Sequence, residues 1–232
     1  DLPAVPSEWR EGHQIGPFRL KRALGEGGMG VVWLAEQLEP LQREVAIKVM
    51  RQERRGALDE VFFEVERQAL ARLSHRAIAQ IHDAGRLPDG SLFFAMEYVP
   101  GVPLDEFVRE QHPSPTDLAR LFIEICLGVQ HAHQRGLIHR DLKPGNLLVQ
   151  RVDGTPQPKI IDFGVATSVA PGAGAIPVAG TRPYMSPEQR TPDASGIDAR
   201  TDVYALGAVL AECLYLLAGV EGDGQEFDST TM

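Results

Sequence analysis

Residues 137–149, Leu-Ile-His-Arg-Asp-Leu-Lys-Pro-Gly-Asn-Leu-Leu-Val, place a carboxylate, an ammonium and an amide, Asp141, Lys143 and Asn146, within six residues. They stand between two apolar runs, Leu137-Ile138 and Leu147-Leu148-Val149, which read as short buried strands bracketing a loop. Polar groups carried on such a loop line a site. A carboxylate that deprotonates or orients a hydroxyl, a cation that neutralises phosphate and an amide oxygen for a divalent metal are the parts that phosphoryl transfer requires.

Several upstream elements must position these groups. Residues 1–13 carry prolines and polar breaks and read as a linker. Phe18-Arg19-Leu20 then leads to Leu24, Gly25, Gly27 and Gly30, and Val-Val-Trp-Leu after the last glycine is strand composition. Glycines in a hairpin between strands let backbone N–H groups approach phosphates closely. A dinucleotide-binding turn would instead open a helix, and the Lys-Ser/Thr of a P-loop is absent. Val45-Ala46-Ile47-Lys48-Val49 alternates so that Ala46 and Lys48 share one strand face.

Residues 58–73 have helical periodicity, and Glu66 lies on the apolar stripe with Phe62, Phe63, Ala69, Leu70 and Leu73. A buried carboxylate needs a cation, for which Lys48 is the natural candidate; the alternative is Glu66 at a helix edge beside Arg67 or water. Glu64 instead neighbours Glu60, Arg67 and Gln68. Residues 91–101 are a strand run ending in a turn, and Pro158 to Ile161 is another short apolar strand, delivering Asp162.

Ser114 caps a helix with Pro115 at its first position and Asp117 in its first turn, a stripe at 118, 121, 122, 125, 129 and 132, and Gly136 at its end. His131 and His133 cannot share a face of that helix, which excludes a metal site there. Residues 198–219 are apolar nearly all round, as in a buried helix or a membrane span, and Glu212 at the middle with the Asp-Ala-Arg-Thr-Asp entry predicts the buried helix and no membrane span. The tail, 220–232, is polar and acidic.

At 232 residues, 43% hydrophobic and 24% charged, the chain can form one domain or two small lobes. A net charge of −9 and a pI near 5.3 argue against a nucleic-acid surface, because no basic block is present to neutralise a phosphate backbone. Cys126 and Cys213 fall in helical patterns and read as small core residues in a reducing compartment. The chain opens at Asp1 with no signal-peptide pattern, and the expectation is an excerpt of a longer protein.

His139-Arg-Asp-Leu-Lys-Pro-Gly-Asn146 resembles the catalytic loop of protein kinases, with Lys143 in the manner of the Ser/Thr branch. The glycine hairpin, Lys48, Glu66, and Asp162-Phe163-Gly164 stand in the family's order, and the style is most similar to bacterial eukaryotic-type Ser/Thr kinases. The resemblance covers about 16–219 and implies an α+β, two-lobed fold, a small antiparallel sheet lobe with one helix and a mainly helical large lobe lacking its last helices. It implies a linker at 1–13, a kinase domain at 14–232 with its small lobe at about 14–96, a hinge at 97–101, a large lobe at about 102–219, and a polar tail at 220–232.

The roles it implies are these. Asp141 orients or deprotonates the substrate hydroxyl, Lys143 neutralises the transferred phosphoryl, and Lys48, paired with Glu66, holds nucleotide phosphates. Asn146 and Asp162 bind Mg²⁺, or Mn²⁺ in its place. Leu24, Val32, Ala46 and Leu148 sandwich adenine, Met96 is the gatekeeper, and Glu97 to Val99 bond the base through their backbone. Thr181 contacts Asp141 and Lys143, Asp202 braces the catalytic loop, and His139 packs with Leu70, Ile81 and Phe163. Arg140 marks kinases whose activation segment, here 165–188, pairs a phosphate, with Thr167 and Ser168 as weak candidates.

The implied activity is ATP-dependent phosphorylation of protein Ser/Thr hydroxyls, the chain's own included, in the cytoplasm or in the cytoplasmic part of a longer, membrane-anchored protein. A nucleotide-binding scaffold and a small-molecule phosphotransferase are the alternatives; intact Asp141 and Asp162 weigh against the first and Lys143-Pro144 against the second.

Overall fold

The computed structural model describes residues 9–27, 30–50, 63–64, 67–87, 90–163, 181–191 and 196–219. Glu66, Gly164, Thr167, Ser168 and the tail from 220 lie outside the described residues. The architecture is α+β, and the chain divides into two compact units, Asp1–Ala71 with Ala79–Val99 and Arg72–Ile78 with Pro100–Met232.

In the first unit β1 (Gln14–Ile15), β2 (Phe18–Gly27), β3 (Gly30–Gln37), β4 (Arg43–Met50), β5 (Ile81–Arg86) and β6 (Leu92–Glu97) form one antiparallel sheet ordered β1-β2-β3-β4-β6-β5. Strand alternation sorts its residues into two faces. Phe18, Leu20, Val31, Trp33, Ala35, Val45, Ile47, Val49, Phe93 and Ala95 are buried together on one. The other carries two cross-strand rows, Val32–Lys48–Phe94 and Leu34–Ala46–Met96. Residues 63–64 and 67–70 are helical, and Phe63 stacks on Phe94 with ring centroids 4.8 Å apart, so this helix lies on the Lys48 face.

The second unit contains β7 (Val102–Pro103), α1 (Leu104–Gln111), α2 (Pro115–His133), β8 (Leu147–Val152), β9 (Thr155–Ile160) and α3 (Ala199–Leu217), with β7, β8 and β9 in a small antiparallel sheet. The Ser114 hydroxyl accepts the Asp117 N–H at 3.2 Å, as the cap sequence predicts. The α2 stripe Leu118, Leu121, Phe122, Ile125, Val129 and Ala132 is buried.

Two expectations change. Leu137-Ile138 is irregular and half-buried, not a strand, because the backbone amides that follow it bond a side chain instead of a neighbouring strand. The helix at 198–219 is not buried all round: Val203 is 62% and Leu214 49% exposed. No helix among the described residues is long and apolar enough to cross a membrane.

The glycines of the β2–β3 hairpin are held for different reasons. A Cβ on Gly30 would lie 2.1 Å from the Val49 carbonyl oxygen, and its φ of 154° disfavours any side chain. A Cβ on Gly25 would meet no described heavy atom within 4 Å. Gly30→Ala is therefore expected to destabilise the chain by on the order of 2 kcal/mol in urea unfolding, and Gly25→Ala by less than about 0.5 kcal/mol.

Candidate active site

The loop at 137–149 is shaped by a buried carboxylate. Asp202, in the first turn of α3, is completely buried. Its Oδ2 accepts the His139 N–H at 2.8 Å and the His133 Nε2–H at 2.7 Å, and its Oδ1 accepts the Arg140 N–H at 2.8 Å. Three donors to one carboxylate offset the cost of burying it. With its amide so held, Arg140 takes φ 66°, a left-handed conformation that an L side chain disfavours and that recurs at functional sites.

Asp141 follows directly. Its Oδ1 accepts the Thr181 hydroxyl at 3.1 Å, while Lys143 Nζ lies 3.0 Å from its Oδ2 and donates to Thr181 Oγ1 at 2.9 Å. The buried Asn146 amide nitrogen donates to the Asp141 carbonyl at 2.8 Å and reaches Asp141 Oδ2 at 3.3 Å. Asp141, Lys143, Asn146 and Thr181 are thus one hydrogen-bonded cluster, partly open to water: the Lys143 and Asp141 side chains are 32% and 23% exposed.

Asp162 reaches the same unit by a second route. The Ile161 N–H donates to the Asn146 carbonyl at 2.9 Å, and the Ile161 carbonyl accepts His139 Nε2–H at 3.1 Å. His139 Nδ1 is then the acceptor for the Asp141 N–H, at 3.4 Å, which assigns the proton to Nε2. The buried His139 ring packs on Phe163 at 4.8 Å and serves as a strut. Asp162, like Arg140, has positive φ, at 58°.

In the first unit Lys48 is 4% exposed and shares its sheet face with Val32, Ala46 and Met96. Leu24 sits where the β2–β3 register shifts, is 37% exposed, and is followed by Gly25, Gly27 and Gly30 at the hairpin end. Glu97 donates its N–H to the Gln80 carbonyl at 2.8 Å and accepts the Gln80 N–H on its carboxylate at 3.2 Å, so its side chain is committed to the protein itself. Val99 is buried. Arg67 is bound to Glu64 at 2.6 Å. In the second unit Leu148 lies in β8, opposite Pro103.

The pattern of residue types did not single out two groups that the tertiary structure brings to this region. Tyr184 donates to Glu212 Oε2 at 2.7 Å. Burial, then this hydrogen bond, pushes the Tyr184 hydroxyl pKa well up; burial likewise raises the Glu212 carboxyl, against the Tyr184 hydrogen bond and with Asp105. Gln189 is buried, and its amide nitrogen donates to the Arg140 carbonyl at 2.7 Å. Ser186-x-x-Gln189 has capping-box spacing, a signal visible in the sequence, but nothing in it names Arg140 as a partner.

One unit carries a carboxylate–lysine–amide loop beside a second aspartate, the other a glycine hairpin and a buried lysine on an antiparallel sheet, and these are the residue types that phosphotransferases use. Residues 18–226 match the family model for the protein kinase domain, and the chain belongs to that family. It is 38% identical over 213 residues to the serine/threonine-protein kinase PknB of Mycobacterium tuberculosis, covering 87% of this chain and 33% of that protein. It is 36% identical over 219 residues to the serine/threonine-protein kinase pkn3 of Myxococcus xanthus, covering 89% and 39%. The chain therefore spans between about a third and two fifths of the length of these relatives. The crystal structure of the Mycobacterium tuberculosis PknI kinase domain superposes with a TM-score of 0.66 at 28% identity, covering 91% of this chain and 78% of that one.

Two measurements check the electrostatics. Asp202→Ala leaves buried N–H groups without their acceptor and is expected to cost on the order of 3 kcal/mol in urea unfolding. Because the folded state raises the Glu212 pKa, the protonated carboxyl's stabilising contribution is complete below the ordinary Glu value and is lost as pH rises through the raised one. Glu212→Gln should therefore gain stability relative to the parent between acid and neutral pH, read as a widening gap in unfolding midpoint.

Proposed function

We propose that this domain transfers the γ-phosphate of ATP to serine and threonine hydroxyls of proteins, its own included. The observation that carries the proposal is the Asp141–Lys143–Thr181–Asn146 cluster on a loop anchored to Asp202. Asp141 accepts a hydrogen bond from the incoming hydroxyl and takes its proton as the oxygen–phosphorus bond forms and the bond to the departing ADP breaks. Thr181 on Oδ1 and Lys143 on Oδ2 fix the carboxylate's plane for that task. Lys143 has three N–H donors; Asp141 and Thr181 occupy two, and the role proposed for the third is to meet the phosphoryl group.

The residues present suit magnesium. The Asn146 amide nitrogen is committed to Asp141, which leaves its hard oxygen as the ligand atom, and Asp162 adds a carboxylate on a segment bonded to Asn146. Two protein oxygens match a cation that keeps waters and nucleotide oxygens for its remaining positions. Among the described residues no group of three or more His, Cys, Asp or Glu forms a separate metal site. Bound there, the metal would neutralise and bridge nucleotide phosphates.

The sheet's share follows from chemistry. Lys48, with Glu66 as the proposed partner, holds phosphates; Gly25, Gly27 and Gly30 leave backbone donors accessible to them. Leu24, Val32, Ala46, Met96 and Leu148 supply apolar surface for adenine, and the backbone of Glu97 to Val99 its polar partners. The proposed organisation is a small lobe at 14–96, a hinge at 97–101 and a large lobe at 102–219, acting in the cytoplasm alone or as part of a longer anchored protein.

Incubation with γ-labelled ATP and magnesium should label the chain or a generic basic protein on Ser/Thr. Asp141→Asn is expected to cut transfer by about 10²–10⁴-fold while retaining nucleotide binding. Equal transfer by Asp141→Asn would overturn this assignment, and ATP binding with no transfer by the parent would support a scaffold instead.

A further inference from the structure

The peptide joining Arg140 to Asp141 is the last rigid unit before the proposed base, and it is gripped from outside the catalytic loop. We propose that Gln189 is a positioning residue for phosphoryl transfer, holding that peptide so that Asp141 presents its carboxylate in one orientation. The inference rests on the reading of Asp141 given above and deepens it.

The geometry has three parts. Arg140, at φ 66°, sits in a left-handed backbone region that an L side chain disfavours, and without restraint it would relax. Its N–H is bound by Asp202 at 2.8 Å, which fixes the peptide before its Cα. The peptide after that Cα is held at its oxygen by Gln189 Nε2 at 2.7 Å and, more loosely, at its N–H by His139 Nδ1 at 3.4 Å. The Asp202 bond alone leaves the second peptide free to turn about the Arg140 Cα–C bond, and that turn would swing Asp141 away from Thr181 and Lys143. Gln189 supplies the strong bond that prevents it.

An amide is the fitting side chain here because it donates and accepts at once. While Nε2 serves Arg140, Oε1 accepts the Ser186 N–H at 3.1 Å, which also fixes which end of the amide is which. Gln189 is 5% exposed, so water does not readily replace the lost bond. Its own turn is tied down by Thr201, whose hydroxyl donates to Glu188 Oε1 at 2.8 Å and accepts from Ser186 Oγ at 3.4 Å. Thr201 immediately precedes Asp202. One turn of α3 thus anchors both jaws of the clamp, and the segment at 186–190 is mechanically coupled to the base.

The test compares the parent chain with Gln189→Glu, which keeps the acceptor for Ser186 but replaces the donor to Arg140 with an oxygen, and Gln189→Met, which removes both. Thr191→Ala, which deletes a hydroxyl bond to the Glu188 carbonyl in the same turn and keeps the Gln189 amide, is the control. Amide hydrogen exchange across 139–142 should quicken by about tenfold in both Gln189 variants and stay unchanged in the control. In γ-phosphate transfer, kcat should fall by about 10–100-fold with KM for ATP within about twofold of the parent, because the base is misplaced and the nucleotide residues are not. A purely structural Gln189 would instead lower the melting midpoint and leave kcat of the folded fraction and loop exchange unaltered, and that result overturns the proposal. If Gln189→Met fails to fold, the isosteric Gln189→Glu decides. A parent chain that transfers no phosphate would sink the kinase reading, while the exchange data would still judge the clamp.

Discussion

One buried carboxylate organises the loop that carries Asp141, Lys143 and Asn146. Asp202 takes two consecutive backbone amides and an imidazole N–H, and it does so from the rigid first turn of a 19-residue helix. The amides of His139 and Arg140 would otherwise need strand neighbours or water. Capturing both with one side chain bends the chain into the left-handed turn at Arg140 and delivers Asp141 beside Lys143, Asn146 and Thr181. The same imidazole that accepts the Asp141 N–H donates to the Ile161 carbonyl, so the position of Asp162 is referred to this anchor as well.

The sheet unit solves a different problem. It keeps a lysine away from water, and period-two alternation puts Val45, Ile47 and Val49 into the core and Ala46 and Lys48 on the opposite face. Phe63 on Phe94 covers part of that face with a helix. The residue beside the lysine on that face, Ala46, is small, and a Cβ on Gly25 would meet no described heavy atom within 4 Å.

Polar continuity extends beyond the residues with assigned chemistry. From Thr201 through Ser186 to Gln189 and Arg140, hydrogen bonds of 2.7–3.4 Å join the start of α3, the Ser-Pro-Glu-Gln turn and the loop that carries Asp141. Such a chain is valuable only when every member is satisfied, since an unmet partner in a low-dielectric interior costs more than the bond was worth. Tyr184 and Glu212 form a separate contact of the same kind, one whose strength depends on pH because burial opposes the Glu212 charge.

Much of this was legible in the residues themselves. Local rules determine where Ser114-Pro115 starts a helix, why β4 has two chemically different faces, and that Asp141, Lys143 and Asn146 share a loop, because capping, strand alternation and motif spacing act over a few residues. What only tertiary structure decided is which distant partner each polar group meets. Leu137-Ile138 had the composition of a strand, yet the carboxylate more than sixty positions downstream claimed the amides that follow it. The 198–219 helix looked buried all round, but exposure at Val203 and Leu214 depends on which neighbours pack there, and no periodicity encodes that. Gln189 stands at capping-box spacing from Ser186, a local signal that names no partner outside its own turn. Its amide matters because folding brings the Arg140 carbonyl within 2.7 Å, and hydrogen-bond pairing across 49 residues is a property of the fold, not of the local chain.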